Sequence, residues 1–100
     1  MDVTYRLDKE ILYIAVEGRI DASNAAAAEE KIFAIKNENP GKHTVVDADK
    51  LEYISSAGLR VLLGAQKKMQ KIGSMKVVNV CEEVMEVFEM TGFADILVIE

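Results

Sequence analysis

The sequence predicts an α/β domain: a mixed, partly parallel sheet flanked by helices, in the order ββαβαβαβ. Three observations lead there. Short β-branched or apolar runs alternate with longer segments whose apolar residues recur at helical spacing. No repeat, low-complexity tract or linker interrupts them, and the one strong break is Asn39-Pro40-Gly41. With 100 residues, 50% of them hydrophobic, folding hides roughly 60–70% of the unfolded surface, enough for one core and not for two. Residues 1–100 are therefore read as a single domain.

Each element has its own signal. Val3 and Tyr5 fit a short first strand, Asp8-Lys9-Glu10 a turn, and Ile11 to Gly18 its hairpin partner. In that partner Ile11, Leu12, Tyr13, Ile14 and Val16 do not alternate strictly, which predicts cover on most of both faces. Asp21-Ala-Ser-Asn supplies several possible helix caps. Ala25 to Lys36 follows with high helix propensity, and Ala25, Ala28, Ile32 and Ile35 recur on one side. His43 to Ala48, centred on Thr44-Val45-Val46, predicts a central strand, and the chain then loops through Tyr53.

The second helix is the most amphipathic. Leu59, Leu62, Leu63, Gln66, Met69 and Ile72 mark one side, while Arg60, Lys67, Lys68 and Lys71 lie elsewhere. Gly73 is the expected C-cap. Met75 to Val80 predicts a strand. Cys81, Val84, Met85 and Phe88 line a third helix that ends near Gly92, and Ile96 to Ile99 predicts a closing strand.

Charge excludes several classes of function. There are 17 acidic and 12 basic residues, a net charge of −5, which disfavours non-specific nucleic-acid or anionic-membrane binding. No apolar run approaches the roughly 20 residues of a membrane span, and residues 1–20 carry no secretory signal pattern. Cys81 is the only cysteine, so there is no internal disulfide and no structural zinc set. The chain reads as a soluble domain of the cytoplasm. Leu59 to Val78 carries basic residues and no acids, whereas Cys81 to Glu100 carries acids and no bases. These are either two solvated helix faces or a dipolar surface that orients a protein partner.

Enzyme constellations are weak, and no catalytic, metal or cofactor residue is assigned. His43 is the only histidine and reads as an exposed structural residue at a strand entry. Ile54 stands where a nucleophile elbow ending in Ser56 would need glycine, and no phosphate-binding loop follows Gly58 or Gly64. Asp47 and Asp49 would share a face if one strand ran through both, but no third ligand lies near in sequence. Cys81 reads as a small core residue.

Ser55-Ser56-Ala57-Gly58-Leu59 is different. Two hydroxyls stand just before a helix start, next to a small residue and a glycine. One reading is capping, a serine oxygen accepting from a free N–H, with Gly58 permitting close packing. The other is a phosphoacceptor, since helix N-terminal amides accommodate a phosphate of ~1.5–2 negative charges.

The stretch Val45-Val-Asp-Ala-Asp-Lys-Leu-Glu-Tyr-Ile-Ser-Ser-Ala-Gly-Leu-Arg-Val-Leu-Leu resembles the signature of STAS domains, specifically bacterial anti-sigma factor antagonists. Gly18-Arg-Ile-Asp21 resembles their Gly-x-Leu/Ile-Asp turn. Gly73 to Val80 and Val87-Phe88-Glu-Met-Thr-Gly-Phe93 resemble their late strand and helix. The resemblance spans nearly the whole chain. It implies that the serine turn and the Asp21 turn lie close on one surface, with Asp21 and Asp47 at acidic positions near it. Ser56 takes the phosphoserine position, with Ser55 as the alternative because it replaces the family's usual aspartate. Many members add a helix after the last strand.

The partner surface so implied comprises Asp21, Ser23, Ser55, Ser56, Ala57, Gly58 and Arg60. The implied function is a non-enzymatic switch. Unphosphorylated, it binds an anti-sigma factor serine kinase of the GHKL type and so releases a sigma factor; a metal-dependent serine phosphatase resets it. Any nucleotide or metal belongs to those partners, so no cofactor is expected in this chain, and neither nucleic acid nor membrane insertion is involved. The alternative is a non-phosphorylated STAS adaptor subunit of a lipid-transporting ABC complex. A small hydrolase using Ser55 or Ser56 lacks a base placed by sequence.

Overall fold

The computed structural model describes residues 1–72 and 74–100. The turn at Lys9-Glu10, with Lys9 in the left-handed region at φ 57°, joins β1 (Asp2–Asp8) to β2 (Ile11–Ile20). The two pair antiparallel from Asp2↔Glu17 to Asp8↔Ile11, so the first strand runs further than Val3 and Tyr5 alone suggest. α1 (Ala25–Glu38), β3 (His43–Asp47), β4 (Leu51–Ile54), α2 (Ser56–Ile72), β5 (Met75–Val78) and α3 (Glu82–Met90) follow, then a short 3-10 turn over Phe93–Asp95. The result is the expected mixed α/β sheet flanked by helices, in the order β-β-α-β-β-α-β-α.

Two elements differ from expectation. β4 was expected as loop. It pairs parallel with the end of β2, but Leu51 and Tyr53 oppose the consecutive residues Gly18 and Arg19, leaving Glu52 as an extra residue. That bulge turns both Glu52 and Tyr53 outward between buried Leu51 and Ile54, which erases the alternation by which a strand is recognised. At the other end, the expected strand Ile96–Ile99 is reduced to a single bridge. Val77 N–H donates to the Val98 carbonyl at 2.8 Å and Glu100 N–H to the Val77 carbonyl at 2.9 Å. β5 also stops at Val78, because Asn79 enters the left-handed region at φ 59°.

The sheet order is β1-β2-β3-β5, with β3 and β4 taken up in succession along the same side of β2. The face of β2 carrying Leu12, Ile14, Val16 and Ile20 is buried. On it lie Ala28 and Ile32 of α1 and Leu59, Leu62 and Met69 of α2, while Val84 and Phe88 anchor α3 in the same core. The opposite face is partly covered at Ile11, Tyr13, Ala15 and Glu17, less completely than the first, where the sequence leads one to expect cover on most of both. Arg6 of β1 covers Tyr13 there, its guanidinium 4.0 Å from the ring centroid. In α2 the expected apolar side is buried at Leu59, Leu62, Gln66 and Met69, with Leu63 half-buried. The Gly73 cap and the side chain of Ile72 lie outside the described residues.

Two buried polar side chains tie helices to strands. Gln66 donates to the Met75 carbonyl at 3.0 Å and accepts from Val98 N–H at 3.3 Å. Lys36, almost fully buried, directs its ammonium at the Lys42 carbonyl and at Thr44 Oγ1, 3.2 Å away. No carboxylate faces it among the described ion pairs, and burial holds its pKa below the ordinary 10.5.

That shift has a sign. Below the folded-state pKa both states hold the proton; between it and 10.5 only the unfolded chain does, so stability rises with pH across that window. Lys36→Met should abolish the rise, read as the difference in urea midpoint between variant and wild type from pH 7 to the alkaline limit of folding. A difference that stays constant with pH would contradict this account of Lys36.

Candidate functional site

The site forms where β2 and β4 end together. Ile20 opposes Ile54, and the next residue, Ser55, donates its N–H to the Ile20 carbonyl at 2.9 Å. The start of α2 is thereby fixed against the start of the Asp21 turn. The two turns named from sequence share one end of the sheet.

Ser55 caps α2. Its Oγ accepts from Gly58 N–H at 3.3 Å and its carbonyl from Leu59 N–H at 2.9 Å. Ser56 is the first helical residue and is exposed. Its hydroxyl makes no hydrogen bond among the described residues. The backbone N–H groups at a helix start lack intrahelical partners, and the helix dipole adds positive potential there. The two serines thus divide the two readings between them: Ser55 does the capping, and Ser56 presents the free hydroxyl.

Gly58 faces inward. Gly58 is buried and Ala57 half-buried. A Cβ on Gly58 would stand 2.7 Å from Ile54 Cγ1 and 2.8 Å from Ile20 Cγ2. Both isoleucines are fully buried and branched at Cβ, so neither can swing aside. Gly58 lets α2 approach the β2–β4 pair closely. Arg60, one turn on, is exposed.

The Asp21 turn is held by its own side chains. Asp21 Oδ1 accepts from Ser23 N–H at 2.9 Å and from Ser23 Oγ at 2.5 Å. The Ser23 hydroxyl and then its N–H hold the Asp21 pKa below its usual 3.8, against the opposing effect of burial, with Arg19 and the Asn24 N–H adding to the lowering. Asn24, one of several possible caps, takes the N-cap position but makes no side-chain cap bond to α1. Its amide reaches back instead, Nδ2 donating to the Arg19 carbonyl and Oδ1 accepting from Asp21 N–H, both at 2.9 Å. The Asp21 carbonyl takes the first helical N–H, that of Ala25, at 2.9 Å.

Three residues of this surface carry no sequence signal strong enough to single them out: Asn24, Arg19 and Tyr53. The last two oppose each other across β2 and β4. The Arg19 guanidinium lies 4.4 Å from the Tyr53 ring centroid.

Other candidates fall elsewhere. Asp47, expected near the serine turn, opposes Ala15 on β2, on the far side of the bulge from Ile20. At about 3.3 Å per residue that is on the order of 15 Å along the strand. It accepts instead from Asp49 N–H at 3.0 Å and Asn79 Nδ2 at 3.1 Å, and Asp49 lies beyond the end of β3, so the two are not a strand-borne carboxylate pair. His43 is exposed, with Nδ1 2.8 Å from Ser74 Oγ. Cys81 is half-buried against the core beside the Leu51 carbonyl. Among the described residues no group of three His, Cys, Asp or Glu is placed to hold a metal, and no helix is long and apolar enough to cross a membrane.

A five-stranded mixed sheet whose longest strand delivers an acidic turn beside a capped, serine-bearing helix start defines a STAS domain. The family's profile matches residues 2–100, and the chain belongs to that family. It is 33% identical over 87 residues to the putative anti-sigma factor antagonist BtrV of Bordetella bronchiseptica, covering 86% of this chain and 74% of that protein. To the anti-sigma-B factor antagonist of Bacillus subtilis it is 27% identical, covering 97% and 88%. The fold is shared with the crystal structure of an anti-sigma factor antagonist from Mycobacterium paratuberculosis, at a TM-score of 0.86 and 23% identity over 98% of this chain and 83% of that one.

Two tests follow from the geometry. Gly58→Ala should destabilise the fold by about 1–3 kcal/mol by forcing α2 off Ile20 and Ile54. That is a melting point lower by at least ~4 °C at this size; an unchanged melting point would mean that α2 has slack at its start. Ser23→Ala should raise the midpoint of the Asp21 carboxyl resonance in an NMR titration. Because the folded pKa is lowered, the associated stability is present above the unfolded pKa and is lost as pH falls through the folded one. A midpoint unmoved by the substitution would show that Ser23 is not the cause.

Proposed function

We propose that this STAS domain is an anti-sigma factor antagonist that works as a phosphorylation-controlled partner switch. The carrying observation is the exposed Ser56 hydroxyl at the first position of α2, without a hydrogen bond among the described residues, side by side with the Asp21 turn. The names of its relatives support the same role. Unmodified, the surface formed by Asp21, Ser23, Ser55, Ser56, Ala57 and Arg60 docks on an anti-sigma factor kinase of the GHKL type, and the sigma factor is set free. Within that complex Ser56 Oγ attacks the γ-phosphorus of ATP held by the kinase. The new O–P bond forms as the bond to ADP breaks, and the hydroxyl proton passes to a kinase base.

A dianion then occupies a contact shaped for a neutral hydroxyl. Burying it against the partner strips its water, and the complex dissociates. A metal-dependent serine phosphatase hydrolyses the ester and restores the docking form. The domain acts in the cytoplasm and needs no cofactor of its own, because the nucleotide and the metal reside in its partners.

With its cognate kinase and ATP, the protein should gain one phosphate, placed on Ser56 by tandem mass spectrometry. Ser56→Ala should keep its affinity for the kinase in titration calorimetry, and Ser56→Asp should lose about tenfold or more. Phosphate on Ser55, or equal affinity of the two variants, would overturn the assignment. No phosphate at all, together with binding to a transporter ATPase, would favour a STAS adaptor instead.

A further inference from the structure

Arg19 is held in place three times over. Its position follows the bulge that sets Glu52 outside the β2–β4 pairing, and bulges of this kind re-aim side chains beside functional sites. Its carbonyl is clamped by Asn24 Nδ2 at 2.9 Å. Its guanidinium stacks over Tyr53, 4.4 Å from the ring centroid. The side chain nonetheless remains exposed, and none of the ion pairs among the described residues includes it. Asp21, two residues on, feels the Arg19 charge, but its Oδ1 is occupied by Ser23.

An exposed, long cation normally loses side-chain freedom when it binds, which weakens the contact. Here that freedom is already restricted in the unbound protein. Tyr53 is 38% exposed, so it offers an aromatic face as well as a support. Arginine and tyrosine are the residue types that most often dominate protein interfaces.

We infer that Arg19, braced by Tyr53, is a specificity-determining contact of the docking surface and receives a carboxylate from the protein partner. The inference rests on the proposed partner switch and adds to it the charge that the partner must present. The guanidinium offers a planar fork that takes a carboxylate through two N–H donors. A partner with a basic residue at the facing position is rejected by like-charge repulsion, so one residue both selects and excludes.

The test uses the full chain and the purified kinase that phosphorylates Ser56, with binding followed by surface plasmon resonance at low and at physiological salt. Arg19→Glu should weaken binding about tenfold or more and flatten its salt dependence. Arg19→Gln and Tyr53→Ala should fall between it and wild type. Lys9→Glu makes the same charge change at the opposite end of β2 and should bind as wild type does. Thermal melts of all four variants, matched to wild type, separate a lost contact from a lost fold. Arg19→Glu binding within twofold of wild type, while Ser56→Asp fails to bind, would overturn this inference and leave the partner switch standing. A kinase that binds neither wild type nor any variant overturns the partner switch, and the Arg19 contact with it.

Discussion

The pairing of β2 with two strands in succession is the constraint on which this molecule depends. β3 occupies Ile11 to Ala15, and β4 takes up the same side of β2 from Gly18 to Ile20. The last act of that pairing is the bond from Ser55 N–H to the Ile20 carbonyl. Because a backbone bond joins the two turns, their relative position is set by sheet geometry and not by flexible loops. On the other face of the same residues, Ile20 and Ile54 meet the buried glycine of α2. One local register therefore fixes the strand ends, the seat of the helix and the surface between them.

The polar layer built on that frame is economical in side chains. Asn24 closes the Arg19 carbonyl and the Asp21 N–H together, where a simple cap would have stiffened α1 alone. Ser23 orients the Asp21 carboxylate and lowers its pKa, and Ser55 takes the capping duty at the start of α2. All of these bonds are local, none spanning more than five residues of sequence. Their value is in rigidity, since an ordered recognition surface has less entropy left to lose on binding.

The helices and the buried strands were legible because their signals are periodic. Ala25, Ala28, Ile32 and Ile35 recur on one side of α1 and are all buried. Thr44-Val45-Val46 is β-branched and central, as its composition suggests. β4 was not legible, since its bulge places two outward residues in a row, and a four-residue strand has no other signature. With β4 unread, Tyr53 had no face and its pairing with Arg19 had no sequence trace. The Asn24 bonds were hidden for a different reason: Asp21-Ala-Ser-Asn offers several caps by residue type, Asn24 does take the N-cap position, and type does not say which end of the turn its amide will hold. The place of Ser56 at a helix start was legible from the amphipathic segment that follows it, whereas the misplacement of Asp47 came from carrying a motif across a strand whose length in space the motif does not record.

The same geometry bears on what a phosphate at Ser56 would do to the fold. The helix start would attract it by about 0.3–1 kcal/mol, the usual worth of an exposed charge at that position. Asp21, ionised at neutral pH on the adjoining turn, would repel it. Asp47 would not contribute, since on the order of 15 Å of strand exceeds the ~8 Å screening length at physiological salt. Ser55 brings no charge where the family usually has an aspartate, so repulsion comes from one carboxylate rather than two. Two small terms of opposite sign cannot unmake a core built on Leu12, Ile14, Ile20, Leu59 and Phe88. A partner pressed against the same spot meets the full charge, stripped of water, with no comparable term to offset it. A switch at this position is therefore read by whatever docks on the β2–β4 end of the sheet, while the sheet itself stays as it is.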